Sequence, residues 1–155
     1  MEEKYMKIAL EEARMAEAQG EVPVGCVIVC GGRVVGRGHN LRESRRNALL
    51  HAEIIAINEA CETLGSWRLG GCELYVTLEP CPMCAGAIIN ARIDTVVYGA
   101  SDTTFGACGG VMNLFEEAFG MRPRLYGGVL RQECESLMKD FFRGLRSGEK
   151  APAEG

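Results

Sequence analysis

The sequence predicts an α/β protein, a three-layer αβα sandwich built on a mixed five-stranded sheet. The first observation is a hairpin signal, in which two β-rich segments flank the turn Gly31-Gly32. The second is that strand and helix patterns alternate through the rest of the chain, as in sheets covered by helices on both faces. The third is the length, because 155 residues fit one domain that can bury a sufficient core.

Each element follows from the spacing of apolar residues and from the residues that interrupt it. Apolar residues recur at helical spacing over 2–18, before Gly20, and again over 50–64. Pro82 suits the first turn of a helix that continues to residue 91. The other predicted elements are strands 22–30, 34–38, 74–78, 95–98 and 123–126, a short helix 111–118 and a helix 129–145. We expect a single domain over 1–146 and a flexible tail over 147–155.

The composition argues against a membrane protein and against an exported one. No apolar run approaches the roughly 20 residues that a membrane span needs. The chain begins Met1-Glu2-Glu3-Lys4, which lacks the apolar core of a signal peptide, so we expect a cytoplasmic protein. The net charge of -4 argues mildly against general nucleic-acid binding. The arginines of 42–46 form a local basic cluster that is either a solvated group or an RNA contact.

Eight cysteines raise the question of a disulfide framework. A chain of this length with no export signal does not need such staples, so we expect free thiols. Six of the cysteines lie among apolar neighbours, where cysteine acts as a small hydrophobic residue. These six are Cys26, Cys30, Cys61, Cys72, Cys108 and Cys134.

Two short motifs carry the chemistry, His51-Ala52-Glu53 and Pro80-Cys81-Pro82-Met83-Cys84. One imidazole and two thiols make three zinc ligands, and a site that keeps its fourth position open is catalytic. Zinc lowers the pKa of bound water from 15.7 to about 7, and the Glu53 carboxylate can then carry the proton. This combination of motifs is the known signature of zinc-dependent nucleobase deaminases.

The motifs impose one structural condition and leave three other interpretations open. His51 and Glu53 are two residues apart, roughly 200° around a helix, so they converge only if His51 lies at the helix start. The two thiols alone are also compatible with a redox pair. A structural zinc site would need a third cysteine, such as Cys72 or Cys108. A zinc-binding or RNA-binding module without catalysis is the third alternative, and in it Glu53 would be only a surface charge.

Segments outside the two zinc motifs also match a known family, and the chain resembles the bacterial tRNA-specific adenosine deaminases over nearly its whole length. The zinc motif is shared by all cytidine deaminase-like enzymes, whereas the Trp67-Arg68 segment and the Phe-Phe-Arg ending are narrower signals for the tRNA group. The matching segments are GEVPVG at 20–25, HN at 39–40, HAE at 51–53, GSWRL at 65–69, LYVTLEPCPMCAG at 74–86, VVYGA at 96–100, MNL at 112–114 and FFR at 141–143.

The resemblance implies a cytidine deaminase-like fold and the conversion of adenosine to inosine at the wobble position of an arginine tRNA. It implies one Zn²⁺ per subunit on His51, Cys81 and Cys84, with Glu53 as the proton shuttle and no organic cofactor. It implies that Asn40 hydrogen-bonds the flipped-out base or its ribose. It also implies a homodimer that binds the anticodon loop across both subunits.

The RNA contacts are the least specific part of the sequence. Phe142 is either a platform for a loop base or core packing of the last helix, and Arg143 can reach phosphates from the same helix. Segments 47–50 and 103–110 depart from the family pattern. These departures affect the expected RNA contacts and not the zinc centre. The competing function is deamination of a free base or nucleoside, such as guanine or cytosine, which would use the same metal site without Phe142 or Arg143.

Overall fold

A mixed five-stranded sheet with the strand order β2-β1-β3-β4-β5 organises the molecule. The coordinates are a computed structural model, and they describe residues 2–148. The elements are α1 (Glu3–Ala18), β1 (Gly25–Cys30), β2 (Arg33–His39), α2 (Ala52–Leu64), β3 (Cys72–Leu78), α3 (Pro82–Ala91), β4 (Thr95–Ala100), β5 (Arg124–Tyr126) and α4 (Arg131–Ser147). A short 3-10 turn covers Leu114–Glu116. The predicted fold class is confirmed.

The directions of the strands bring three strand ends to one edge of the sheet. β1 pairs antiparallel with both β2 and β3, with Cys26 opposite Val76 in the second pair. β3, β4 and β5 are parallel. The carboxyl ends of β2, β3 and β4 therefore lie at the same edge, which is where α/β sheets hold their ligands.

Helices cover both faces of the sheet, and a glycine on β2 sets the distance of α2 from the sheet. One core cluster joins α2 and α3 to the sheet through residues such as Ile57, Leu74 and Ile88, and a second joins α1 and α4 through Met6 and Cys134. At Gly38 on β2, a Cβ atom would lie 2.4 Å from the backbone oxygen of Ala52. With any residue other than glycine at position 38, α2 could not pack as closely against β2 as it does.

Most predicted boundaries are correct within a few residues, and the largest error is the helix predicted over 111–118. Only Leu114–Glu116 is helical there. Donors in this segment bond to acceptors five and seven residues earlier, since Val111 N–H donates to the oxygen of Gly106 and Leu114 N–H to that of Ala107. Those loop bonds replace the i to i−4 bonds that a helix needs.

The chain ends and the cysteines complete the comparison with prediction. α4 extends to Ser147, two residues beyond the predicted end of the last helix, and residues 149–155 of the predicted tail lie outside the described part of the chain. Every cysteine is a free thiol, as predicted. Within residues 2–148, no helix is both long and apolar enough to span a bilayer.

Candidate metal centre and substrate cleft

The residues of both motifs meet at the edge where β2 and β3 end. His51 comes directly before α2, and Cys81 directly before α3. His51 Nδ1 lies 3.6 Å from the Sγ atoms of both Cys81 and Cys84. Across residues 2–148, this is the one group of three or more potential ligands whose donor atoms all lie within 4.8 Å of one another. Neither Cys72 nor Cys108 belongs to it, so a structural site with a third cysteine is not formed.

The donor geometry fits zinc. Bond lengths of about 2.3 Å to sulfur and about 2.05 Å to nitrogen, at a tetrahedral angle, separate a nitrogen and a sulfur ligand by about 3.6 Å. The two measured separations have this value. One imidazole and two thiolates are also donors that zinc prefers, and three protein ligands leave one position for water or substrate. The residues present therefore fit a catalytic zinc ion.

The helix starts supply the backbone shape that the site requires. His51 is the residue before α2 and is extended, with φ of −78° and ψ of 156°. Cys81 is extended in the same way before α3, whose first residue is Pro82. The condition that His51 lies at a helix start is thus met, because its side chain is not bound by the 3.6-residue period.

The surroundings of Cys81 favour its thiolate over its thiol. Hydrogen bonds from the Cys84 thiol and from His51 lower the pKa of Cys81 to about 4, although burial opposes them. The bond with Cys81 in turn raises the pKa of His51. A thiolate is the form of cysteine that binds a metal. The N-terminus of α3 adds a favourable dipole for this negative charge.

Glu53 lies in the first turn of α2 beside the three ligands, and its side chain is only 4% exposed. Burial raises the pKa of this carboxyl to about 7, and the Cys84 thiol and the residue's own backbone N–H oppose the rise by hydrogen bonding. Glu53 lines the same cleft as His51 and Cys81. A carboxyl with this pKa can accept and return a proton near neutral pH.

Asn40 follows β2 and helps to place His51. Its side-chain oxygen accepts a hydrogen bond of 2.9 Å from the N–H of Ala52, the first residue of α2. The residue is largely buried, yet it lines the cleft. The structure therefore shows that Asn40 holds the start of α2. This role is separate from any contact that Asn40 makes with a substrate.

The cleft above the metal ligands has a volume of about 1340 Å³. Pockets for small ligands usually measure about 300–1,000 Å³, so this one has room for more than a free base. Four basic side chains line it, from Arg42, Lys139, Arg143 and Arg146. Four carboxylates line it too, from Glu53, Glu79, Asp102 and Glu135, but none of them is exposed, whereas all four basic side chains are. The accessible wall of the cleft therefore suits a polyanion such as RNA.

The two aromatic residues near the end of α4 divide their roles. Phe141 is buried in the core, whereas Phe142 is 39% exposed and lines the cleft. Their rings meet edge to face at 5.3 Å. Phe141 thus packs in the core, and the exposed part of the Phe142 ring faces the cleft. Arg143, beside it, is well exposed and pairs with Asp140 at 3.3 Å.

The two segments that depart from the family pattern both form the rim of the cleft. Leu49, from 47–50, is 58% exposed and lines the cleft, as does Phe105, from 103–110, at 66%. Trp67, by contrast, lies in the loop between α2 and β3 and is not among the residues that line the cleft. There the guanidinium of Arg68 lies 4.6 Å from the centre of the Trp67 ring.

Sequence reasoning missed two buried carboxylates that hold the rim. Glu21 is 1% exposed and accepts hydrogen bonds from the backbone N–H groups of Glu43 and Ser44. Glu79 is 3% exposed and accepts from Asp102, Cys108 and Gly110. A signal was present at Glu79, since an acidic residue that directly follows an apolar strand needs buried partners.

Comparison with known proteins defines the class. A family model for the cytidine and deoxycytidylate deaminase zinc-binding region matches residues 1–100, and the chain belongs to this family of zinc-binding deaminases. Among curated relatives, it is 50% identical over 151 residues to the tRNA-specific adenosine deaminase of Bacillus subtilis, covering 97% of this chain and 94% of that one. It is 46% identical to the enzyme of the same name from Rickettsia typhi, covering 92% of this chain and 98% of that one.

Solved structures agree on the fold and differ in identity. A structure from studies of A-to-I editing by tRNA:A34 deaminases at the wobble position of transfer RNA matches with a TM-score of 0.85 and 42% identity, covering 88% of this chain and 99% of that one. A guanine deaminase from Nitrosomonas europaea matches with a TM-score of 0.79 and 25% identity, covering 91% and 84%. The chain is thus more similar to the tRNA-editing structure in both fold and sequence.

Proposed function

We propose that this protein catalyses the hydrolytic deamination of adenosine to inosine at the wobble position of a tRNA anticodon, with release of ammonia. The observation that carries the proposal is the position of the metal donors and Glu53 in a cleft that exposes four basic side chains and is larger than a free base requires. The near full-length identity of 50% to a tRNA-specific adenosine deaminase supports the same substrate. Adenosine and water give inosine and ammonia, so no further reactant is needed.

The metal ligands and the proton carrier have separate roles in this reaction. His51, Cys81 and Cys84 would hold one Zn²⁺, which when bound activates water for attack at neutral pH. Glu53 takes a proton from the water and delivers protons to the adenine ring nitrogen and to the leaving amine. Its burial at the cleft floor keeps bulk water from competing for the same carboxylate.

Substrate contacts come from the walls of the cleft. In this proposal Asn40 hydrogen-bonds the flipped base or its ribose, and Phe142 stacks on a base of the splayed anticodon loop. Arg143 contacts a phosphate. The support is that all three line the cleft that contains Glu53. A zinc centre of this kind acts on bases that have left the stack, as loop bases readily do.

The proposal extends to assembly, location and domain organisation. Large apolar side chains are exposed in one segment at Phe105, Val111, Met112 and Phe119, which supports burial against a second copy in a homodimer. The anticodon loop would then contact both subunits. The proposed tRNA substrate is compatible with the cytoplasmic location that we propose. Residues 1–146 would form one catalytic domain.

The deciding experiment compares substrates for the purified, zinc-loaded protein. We expect inosine, measured by mass spectrometry of digested RNA, from an arginine tRNA anticodon stem-loop with adenosine at the wobble position. A stem-loop with guanosine at that position is the matched control and should stay unchanged. Ammonia release from free guanine and cytosine tests the alternative that the guanine deaminase structure raises. Rapid turnover of a free base with none of the stem-loop would refute the proposal.

A further inference from the structure

We propose that Glu79 is a positioning residue, which fixes the substrate-facing wall of the cleft relative to the metal ligands. The inference rests on the proposed function for its substrate, and it assigns a role to a carboxylate outside the zinc motif. Glu79 lies between the last residue of β3 and Pro80, two residues before the ligand Cys81.

The Glu79 carboxylate is the centre around which the segment 101–110 is wrapped. Oε1 accepts the N–H of Asp102 at 3.0 Å. Oε2 accepts the N–H groups of Cys108 at 2.9 Å and Gly110 at 2.8 Å. The acceptor is therefore bound by three backbone donors from both ends of one loop, and its side chain is 3% exposed.

Backbone bonds attach the same two segments at their edges. The N–H of Glu79 donates to the oxygen of Ala100 at 2.8 Å, and the N–H of Ala107 donates to the oxygen of Pro80 at 2.8 Å. The residues on either side of the carboxylate bonds are thus already in contact. The carboxylate adds the bonds that hold the two ends of the loop together, where ladder pairing has ended.

The loop has the small residues that this wrapping requires. A Cβ atom at Gly106 would lie 2.2 Å from Oε2 of Glu79, and one at Gly110 would lie 2.9 Å from Oε1. Within the loop, Oδ1 of Asp102 accepts the N–H groups of Thr104 and Phe105, which extends the order to the wall itself. The loop is therefore shaped to close around a carboxylate.

This anchor bears on catalysis because of what the loop presents. The residues over 101–105 line the same cleft as His51 and Glu53. A ring bound against this wall reaches the reacting groups only if the wall keeps its place. Small errors in such placement cost large factors in rate, since reacting atoms must lie within about 3–3.5 Å.

The roles of Glu53 and Glu79 are distinct although both are buried acids beside the metal ligands. Both oxygens of Glu79 already accept backbone N–H groups, so it is occupied as a structural acceptor. Neither oxygen belongs to the group of metal donors. We therefore assign it to the position of the loop and not to proton transfer.

The test is Glu79→Gln, with Glu73→Gln as the matched control. Gln keeps the shape but turns one of the two oxygens into a donor, so at least one loop N–H loses its acceptor. Glu73 is in β3, the strand that precedes Glu79, and does not line the cleft. Its carboxylate accepts a hydrogen bond of 3.3 Å from the Tyr75 hydroxyl. A second variant, Gly106→Ala, pushes the loop off the carboxylate from the other side and leaves Glu79 intact.

For both Glu79→Gln and Gly106→Ala, we expect one zinc per chain and faster amide hydrogen exchange confined to residues 101–110. We expect KM for the stem-loop to rise by about tenfold, because only the fraction of molecules with the wall in place binds substrate. The control should match the wild type. A general loss of structure would instead lower the active fraction, and so kcat, without a change in KM.

Two results would overturn the inference. One is a KM and an exchange pattern for Glu79→Gln equal to those of Glu73→Gln. The other is faster exchange throughout the chain with loss of zinc, which would make Glu79 a general stability residue. Hydrogen exchange needs no turnover, so a wild type inactive on the stem-loop would refute the proposed function while the exchange data still decide the role of Glu79.

Discussion

The metal centre and the rim of the cleft are built in opposite ways. The three donors and Glu53 come from two short segments at the starts of α2 and α3. The rim is held over long distances along the chain, since Glu21 binds Ser44 and Glu79 binds Gly110, 23 and 31 residues away. Each motif is therefore encoded by local spacing, although folding joins His51 to Cys81 across 30 residues. The shape offered to the substrate depends on tertiary acceptors, which no motif marks. Substitutions should separate the two regions.

The largest effect should come from removing the metal. Dialysis against a chelator, or Cys84→Ala, removes zinc or one of its three donors, and we expect deamination to be abolished. Zinc, measured by atomic absorption, should fall from one per chain, and added Zn²⁺ should restore the chelated wild type but not the variant. The control is Cys26→Ala, because Cys26 is buried in the core and is not in the donor group. Full activity of the metal-free protein would contradict this role.

Glu53→Ala should separate proton transfer from metal binding at the same centre. We expect activity to fall by about 10²–10⁴-fold, the usual contribution of a general acid–base. Zinc content and the circular dichroism spectrum should stay as in the wild type, because Glu53 is outside the donor group. The control is Glu59→Ala, an exposed carboxylate on the same helix. An active Glu53→Ala enzyme would show that the mechanism is wrong.

Gly38→Ala tests how the sheet sets the position of the metal centre. The added Cβ would lie 2.4 Å from the oxygen of Ala52 and 2.8 Å from the backbone nitrogen of Ala56, so α2 must move. We expect a loss of about 1–3 kcal/mol in the free energy of unfolding, measured with urea, together with weaker zinc binding.

The control for that substitution is Gly86→Ala, which lies in α3, where a new Cβ meets open space. Replacing a helical glycine by alanine should stabilise the protein by about 0.5–1 kcal/mol. A destabilisation of the same size at both positions would mean that the close approach of α2 to β2 is not the cause.

Phe142→Ala tests the rim alone and should have the smallest effect. Loss of a stacking platform costs about 1–3 kcal/mol per base, so we expect KM for the stem-loop to rise by about tenfold with zinc content unchanged. The control is Trp67→Ala, an exposed aromatic residue that does not line the cleft. Equal effects of the two substitutions would remove Phe142 from the binding surface.

The parts of the fold that sequence predicted correctly are those with local causes. The hairpin at Gly31-Gly32 and the helix beginning at Pro82 both follow from patterns within a few residues. The helix predicted over 111–118 failed because its N–H groups bond to acceptors outside the helical period, such as the Ala107 oxygen, seven residues before Leu114. No local pattern contains that information.

The candidate site divides along the same line. The donor set and the role of Glu53 could be inferred from two motifs, because zinc ligation needs particular atoms at helix starts. The structure then separated Phe141 from Phe142, which are neighbours in sequence and differ in burial. It also showed that Asn40 holds the N–H of Ala52, which spacing alone did not indicate.

By itself, the order of residues determined the fold class, the metal and the kind of reaction. These depend on apolar periodicity and on two short motifs, each of which has its functional atoms within a few residues, and any chain with this sequence carries them. Only the tertiary structure decided which carboxylates shape the cleft, since a buried acid takes whichever N–H groups folding brings to it. Glu21 and Glu79 acquire their roles from partners more than 20 residues away, and the walls that face the substrate depend on those contacts.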